Sequence, residues 1–280
     1  MYIKFWGARG SIPVSGPEFC KFGGDTTCVE LRSEEGDVVV IDAGTGIRRL
    51  GDKLQKERTF EINWLFTHSH LDHVIGFPFF LPLFTAQTSV NIYAYPKIQG
   101  NMFQQLAYLM HPPHFPVTLD KLQAEINYRE VTQNTLSLNS LYIQAISLSH
   151  PNNALGFRFR EGERTMVLIT DNELGYRHRG GKSLQTYIDF CAGSDILIHD
   201  AEYTEEEYGE TYTWGHSTYK QALNLALQAK VGQLGFFHHN RNRSDLELEK
   251  KVENCNRYLR EKREALTCFA VTQEQEIVLG

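Results

Sequence analysis

The chain has 280 residues, of which 41% are hydrophobic, and this is ample material for a globular core. The formal net charge at pH 7 is −6, whereas proteins that bind long nucleic-acid duplexes through phosphates usually carry a basic excess, so we expect no such partner. The five cysteines are scattered and form no CxxC pair, which argues against disulfides and a cysteine-rich zinc site and favours a reducing cytoplasm.

The N-terminal segment, MYIKFWGARGSIP, lacks the charged stretch and long apolar run of a secretory signal. No run elsewhere approaches the roughly 20 apolar residues that a membrane span needs. We therefore expect a cytoplasmic protein with no membrane partner.

Short apolar, β-branched runs recur along the chain and predict strands at residues 28–31, 38–41, 62–66, 90–95, 141–148, 166–169, 196–198 and 234–237. Helical patterns lie between some of them, at residues 47–56, 99–110, 184–190, 218–229 and 245–264. No linker or repeat divides the chain. We predict one domain over residues 1–280, of the α/β (α+β) class, with helices covering the outer faces of the sheets.

Several predicted strands end in a side chain that is able to bind a metal ion. They are His68 after the third strand, and His150, Asp171 and His238 after later ones. Strand ends that meet at a shared edge are where rigid scaffolds usually carry functional side chains. We expect these four residues to lie close together.

The segment THSHLDH, residues 67–73, is the most specific pattern in the chain. His68 and His70 are two positions apart, so in extended backbone they point to the same side. Asp72 and His73 follow where a helix or tight turn begins. One segment thus offers two imidazoles to one ion and a carboxylate with an imidazole to another, a set that suits zinc and also manganese or iron.

With these residues the sequence resembles the metallo-β-lactamase superfamily, whose hallmark is HxHxDH after a buried strand. The later motifs occur in order, as SHP at 149–151, TDN at 170–172 and FHH at 237–239. The resemblance implies a four-layer αββα sandwich and two divalent metal ions, most readily Zn²⁺. It also implies the ligands: His68, His70 and His150 for one ion, Asp72, His73 and His238 for the other, and Asp171 bridging both.

Two further segments, HDAE at 199–202 and WGHST at 214–218, resemble the acidic and HST segments of ribonuclease Z and the cyclic-phosphate phosphodiesterases. The resemblance implies that His216 is the general acid and that Asp200 orients it. HDAE stands where ribonuclease Z has HEAT, so Glu202 remains an alternative partner. His216 is otherwise incidental, in a loop whose Ser217 or Thr218 caps a helix.

Ribonuclease Z has a long Gly/Pro-rich arm that clasps transfer RNA, and no such arm is visible here. We therefore expect a dinuclear metal-dependent phosphodiesterase for a small or cyclic phosphodiester, in which a metal-bridging hydroxide attacks phosphorus and Asp72 also orients that hydroxide. The alternatives are a thioester or lactone hydrolase of the glyoxalase II type and a metal-binding module without activity. Related small phosphodiesterases often dimerise, which leaves a homodimer open.

Five other residues remain open. Asp42 is either structural or the partner that orients a ligand histidine, and Arg9 either meets a phosphate or supports its loop. His111 and His114, in a proline-rich segment, form either a pocket wall or a surface loop. We prefer His238 to the adjacent His239 as the ligand, because His238 directly follows the apolar run.

Overall fold

The computed structural model describes residues 1–95, 101–131 and 133–280. The strands in this part of the chain are β1 (Tyr2–Gly7), β2 (Cys28–Arg32), β3 (Val38–Ile41), β4 (Glu61–Leu65), β5 (Ser89–Ala94), β6 (Glu125–Glu130), β7 (Thr135–Leu138), β8 (Leu141–Leu148), β9 (Ala154–Glu161), β10 (Arg164–Ile169), β11 (Ile196–Asp200), β12 (Gln233–Phe237), β13 (Thr267–Ala270) and β14 (Glu276–Val278). The α-helices are α1 (Ile47–Glu57), α2 (Leu71–Val74), α3 (Met102–Leu109), α4 (Leu184–Cys191), α5 (Glu205–Thr211), α6 (Tyr219–Ala229) and α7 (Asp245–Lys262).

The strands form two seven-stranded sheets, in the orders β14-β1-β2-β3-β4-β5-β6 and β13-β12-β11-β10-β9-β8-β7. In the first sheet β1 to β3 pair antiparallel and β3 to β6 pair parallel. In the second, β7 to β10 pair antiparallel and β10 to β13 pair parallel. Parallel neighbours need a crossover, and α1, α6 and α7 supply three of these connections.

Three hydrophobic clusters hold the layers together. One lies between the sheets and combines, for example, Val39 of the first sheet with Phe157 of the second. A second packs α1 and α3 onto the outer face of the first sheet, and a third packs α4, α6 and α7 onto the outer face of the second. Alternate residues of a strand face opposite sides, so Val39 points inward and its neighbour Val40 outward. The predicted four-layer αββα arrangement is confirmed.

The eight predicted strands and five predicted helices are all present, with their ends shifted by a few residues. The predicted helix at 99–110 is α3, and its first two positions lie outside the described residues. The prediction missed six strands, among them β6 and β7, which are at most half-buried and so lack a continuous apolar run. Among the described residues, no helix has the length and apolar character needed to cross a membrane.

Candidate metal centre

The segments that follow β4, β8, β10 and β12 meet at one edge of the sandwich. His68 and His70 lie in the loop after β4, and α2 begins at the next residue and carries the Asp72 and His73 side chains. The three remaining ligand candidates come from the second sheet: His150, Asp171 and His238. The structure therefore brings together all seven predicted ligands, four from one sheet and three from the other.

The ligand candidates form two clusters that share Asp171. In each of them the potential ligand atoms lie within 4.8 Å of one another. The first contains His68, His70, His150 and Asp171, and the second contains Asp72, His73, Asp171 and His238.

The carboxylate of Asp171 faces both clusters. Its Oδ2 lies 3.5 Å from Nε2 of His68 and 3.7 Å from Nε2 of His150. Its Oδ1 lies 3.2 Å from Nε2 of His73 and 3.4 Å from Nε2 of His238. This is the arrangement expected of a carboxylate that gives one oxygen to each of two neighbouring ions.

The donor set fits divalent cations. Nε2 of His68 and Nε2 of His73 are buried and have no hydrogen-bond partner among the described residues. An unsatisfied buried nitrogen is costly, and native structures rarely leave one without a reason. Both nitrogens point toward carboxylate oxygens and other imidazoles, which is the environment of an N/O metal site.

The ligand histidines are oriented by a second layer of hydrogen bonds. Nδ1 of His73 lies 2.8 Å from Oδ2 of Asp42, and Nδ1 of His238 lies 3.0 Å from Oε2 of Glu202. Asp42 also accepts from the backbone N–H of Thr67 at 2.7 Å. Such contacts fix the tautomer and the ring orientation of a ligand. Of the two interpretations of Asp42, the orienting one fits this geometry.

Electrostatics suit the ligand role in the first cluster, where burial lowers the pKa of His68 and His70 as well as that of His150. Burial lowers the pKa of His150 to about 3, so its imidazole is neutral, as a metal ligand must be. Burial opposes ionisation of Asp171, but the neighbouring His238 and His73 hold its pKa well below the usual range.

The backbone is strained at three residues of the site. Asp42, Asp171 and His238 all have left-handed backbone, with φ of 61°, 50° and 56°. Strain of this kind concentrates at functional sites, where the surrounding structure enforces it.

His216 lies beside the second cluster. Its Nδ1 is 3.0 Å from Oδ2 of Asp200, and its ring stacks on that of His238 with centroids 4.8 Å apart. Glu202 approaches Nε2 of His216 to only 3.5 Å and forms its shorter contact with His238. Asp200 is thus the partner of His216. Burial lowers the pKa of His216, but the charges of Glu202 and Asp200 outweigh this and raise it to about 9.

The helix-capping role also applies to this loop. Thr218 caps α6 and forms a capping box with Gln221. The hydroxyl of Ser217 donates to the carbonyl oxygen of Asn172 at 2.5 Å. Both contacts anchor the chain directly after His216, so the cap and the placement of the imidazole are two consequences of one local structure.

Glu173 is a site residue that the sequence reasoning missed. Its buried carboxylate accepts hydrogen bonds from the backbone N–H groups of Thr213 and Gly215, both at 2.8 Å, and from the hydroxyl of Tyr208 at 2.7 Å. Nε2 of His178 lies 2.9 Å from it. These contacts hold the loop before His216. No sequence spacing signals them, because two of the partners are backbone amides about 40 residues away.

The side chains of two other open residues, His239 and Arg9, bind backbone carbonyl groups. His239 is buried, and its Nε2 donates to the carbonyl oxygen of Val271 at 2.8 Å. Arg9 is fully buried and donates to the carbonyl oxygens of Gly23 and Arg243, so the hypothesis that it meets a phosphate is wrong.

The proline-rich segment with His111 and His114 lies at the surface, and both side chains are exposed. His111 borders a cavity with Phe103 and Ile126, and none of the predicted ligands lines that cavity. Its geometry matches the surface-loop interpretation.

The chain resembles known proteins over most of its length. The family model of the Beta-lactamase superfamily domain matches residues 38–239. Ribonuclease Z of Haloarcula marismortui is 23% identical over 283 aligned positions, which cover 85% of this chain and 86% of that protein. Human tRNase Z, short form, has a TM-score of 0.68 at 18% identity and covers 100% of both chains. A diphosphatase of the PhnP family has a TM-score of 0.70 at 17% identity, with 100% of this chain and 98% of that chain covered. At these identities the two solved structures establish likeness of fold.

Proposed function

The chain belongs to the beta-lactamase superfamily, and we propose that within it the protein is a metal-dependent phosphodiesterase acting on a small or cyclic phosphodiester. The observation that carries the proposal is the His216–Asp200 pair at the margin of the two ligand clusters. The ring of His216 in this pair stacks on the ring of His238. Hydrolysis of a phosphodiester needs a nucleophile at phosphorus and a proton for the leaving oxygen. Relatives named ribonuclease Z and diphosphatase support the same class of reaction.

We assign His68, His70 and His150 to one ion, Asp72, His73 and His238 to the other, and Asp171 to both. When bound, the two ions supply a water of lowered pKa as nucleophile and positive charge for the non-bridging phosphate oxygens. Oδ2 of Asp72 accepts a hydrogen bond from the backbone N–H of Ser11 at 2.8 Å, which holds the carboxylate that we expect to orient this water.

His216 acts as the general acid. Because Nδ1 faces Asp200, we assign Nε2, which has Oε2 of Glu202 3.5 Å away, as the nitrogen that carries the proton toward the leaving oxygen. Asp200 also accepts from the backbone N–H groups of Asn172 and Ser217, at 3.1 and 3.2 Å. The carboxylate is therefore fixed on the protein backbone, and it fixes the orientation of the imidazole in turn.

Zinc is the metal that we propose for the site. Five of the seven assigned ligands are histidines, and imidazole nitrogen suits zinc well, although manganese and iron accept the same N/O set. Location and substrate size are argued from composition. The five cysteines are free, which supports the cytoplasm as the location.

The net charge of −6 favours a small substrate over a long nucleic-acid duplex. Assembly into a homodimer stays open.

The test begins with metal-stripped protein that is reloaded with zinc or manganese. Its activity is measured on bis(p-nitrophenyl) phosphate, beside a thioester as control. We expect metal to restore phosphodiester cleavage. Thioester turnover without phosphodiester cleavage would overturn the proposal in favour of a glyoxalase II type of hydrolase.

The role of His216 needs a second substrate. p-Nitrophenolate leaves readily without a proton, whereas an alkoxide does not, so His216→Ala should slow cleavage of an alkyl phosphodiester about 10²- to 10⁴-fold. The same variant should lose much less activity on bis(p-nitrophenyl) phosphate and should keep its metal. His114→Ala, at an exposed position, serves as the control. Equal losses on both substrates would contradict the general-acid assignment.

A further inference from the structure

A cleft of about 340 Å³ opens beside His216 and is not used by the chemistry described above. The residues of its wall that matter here are Tyr203, Glu210, Trp214, Asn240, Arg241 and Asn242. They come from α5, from the chain on either side of it, and from the loop between β12 and α7.

The cleft adjoins the metal centre on the His216 side, because two of its wall residues, Tyr203 and Asn240, contact residues of the site. The ring of Tyr203 lies 5.9 Å from that of His216, centroid to centroid. Nδ2 of Asn240 donates to Oε1 of Glu202 at 3.2 Å, and the other oxygen of Glu202 contacts His238. A group that leaves phosphorus with the proton of His216 therefore departs next to this cleft.

Trp214 stands out among the aromatic residues of the wall. Its side chain is 57% exposed, whereas Trp6 and Trp64 are 4% and 0% exposed. The loop that carries it is held on both sides, because Glu173 binds the backbone N–H groups of Thr213 and Gly215. An exposed indole on a fixed loop is a ready stacking platform, and nucleobases stack on such side chains.

The charges of the cleft disfavour a phosphate group on the leaving alcohol, in addition to the phosphate that is cleaved. Three glutamates line it, Glu207, Glu210 and Glu247, against two arginines. One of these, Arg243, is already engaged by both carboxylate oxygens of Glu207. The occupant should therefore be neutral, and the exposed side chains of Arg241 and Asn242 are hydrogen-bond donors suited to its polar edge.

We propose that this cleft is the subsite for the leaving alcohol and that this alcohol is a nucleoside, with its base stacked on Trp214. The inference rests on the proposed phosphodiesterase function. In the reaction the water oxygen forms a bond to phosphorus and its second proton passes to solvent, the bond between phosphorus and the nucleoside oxygen breaks, and His216 gives its proton to that oxygen. The substrate class is thus a small phosphodiester with an esterified nucleoside, such as a dinucleoside monophosphate.

Adenosine, the product-like part of such a substrate, is the probe for a direct binding test. Trp6 and Trp64 are buried, so quenching of the exposed indole reports on Trp214. We expect adenosine, but not ribose, to quench the fluorescence of the metal-stripped protein. Calorimetry should show that Trp214→Ala weakens adenosine binding about 10-fold or more, while Trp214→Phe, which keeps a stacking face, retains most of it.

Tyr258→Ala removes an exposed aromatic residue from a different cavity and should leave binding unchanged. Equal adenosine binding by wild type and Trp214→Ala, equal quenching by ribose, or no binding at millimolar concentration would each overturn the subsite. None of these outcomes affects the phosphodiesterase assay, so failure of the subsite and failure of the proposed function are distinguishable. In the metal-loaded enzyme, Trp214→Ala should raise KM for adenylyl-adenosine more than it lowers kcat.

Discussion

The backbone carbonyl of Gly215 accepts a hydrogen bond from Nδ1 of His150 at 2.9 Å. The amide of the same glycine donates to Glu173 at 2.8 Å. One peptide thereby links the loop that carries His216 to a proposed ligand of the first ion. Placement of the acid and placement of the metal are therefore coupled through Gly215.

Gly215→Ala should disrupt this link. Gly215 has φ of +93°, and an added Cβ would lie 2.2 Å from Nδ1 of His150. Because the ring of His150 must move, we expect loss of metal from the first site and a large fall in kcat, measured by elemental analysis and by phosphodiester hydrolysis. Gly209→Ala is the matched control, since its Cβ would meet nothing within 4 Å. Full metal content in Gly215→Ala would contradict the coupling.

Glu173→Gln should weaken the hydrogen bonds that hold the loop before His216. The carboxylate faces two amide N–H groups and the hydroxyl of Tyr208, and a glutamine can direct only one oxygen at these donors. We expect the free energy of unfolding to fall by about 1–3 kcal/mol in chemical denaturation. We also expect lower kcat on alkyl phosphodiesters. Glu163→Gln, on an exposed turn, should change neither quantity. An unaltered kcat in Glu173→Gln would show that the loop positions His216 without it.

Asp42→Asn tests the orientation of a ligand by its neighbour. Nδ1 of His73 faces Oδ2 of Asp42 at 2.8 Å, so the carboxylate favours a proton on Nδ1 and leaves Nε2 for metal. An asparagine can turn its amide toward this nitrogen and favour the other tautomer. We expect metal affinity at the second site to fall about 10- to 100-fold in chelator competition. Asp52→Asn is the exposed control, and equal affinity for both variants would remove Asp42 from the site.

Asp171→Ala removes the only side chain shared by the two clusters among the described residues. We expect the bound metal to fall from two ions to one or fewer, counted by elemental analysis. Because a ligand that binds only the folded state stabilises it, EDTA should lower the Tm of the wild type and have little effect on this variant. Retention of both ions by Asp171→Ala would rule out the bridging role.

Much of the centre was predictable because its residues are close in sequence or follow strands. His68, His70, Asp72 and His73 lie within a span of six positions, so local backbone geometry suffices to aim them at a common region. His150, Asp171 and His238 are separated by long stretches, but each follows an apolar run that is readable as a strand. The confirmed strands and helices were predictable for a similar reason, because their hydrophobic period is visible within a single element. The assignment of residues 1–280 to a single domain stays a prediction.

Tertiary structure alone decided what depends on pairing between distant segments. In the sequence HDAE, Asp200 and Glu202 are equally plausible partners of His216. The position of the end of β11 relative to the loop before α6 decides that Asp200 is the partner. Glu173 holds the loop before His216 by accepting hydrogen bonds from backbone amides about 40 residues away. Arg9 does not meet a phosphate, because it is buried and donates to carbonyl oxygens of loops that are distant in sequence. Backbone donors and acceptors are the same at every position, so only the folded chain shows which side chain they bind.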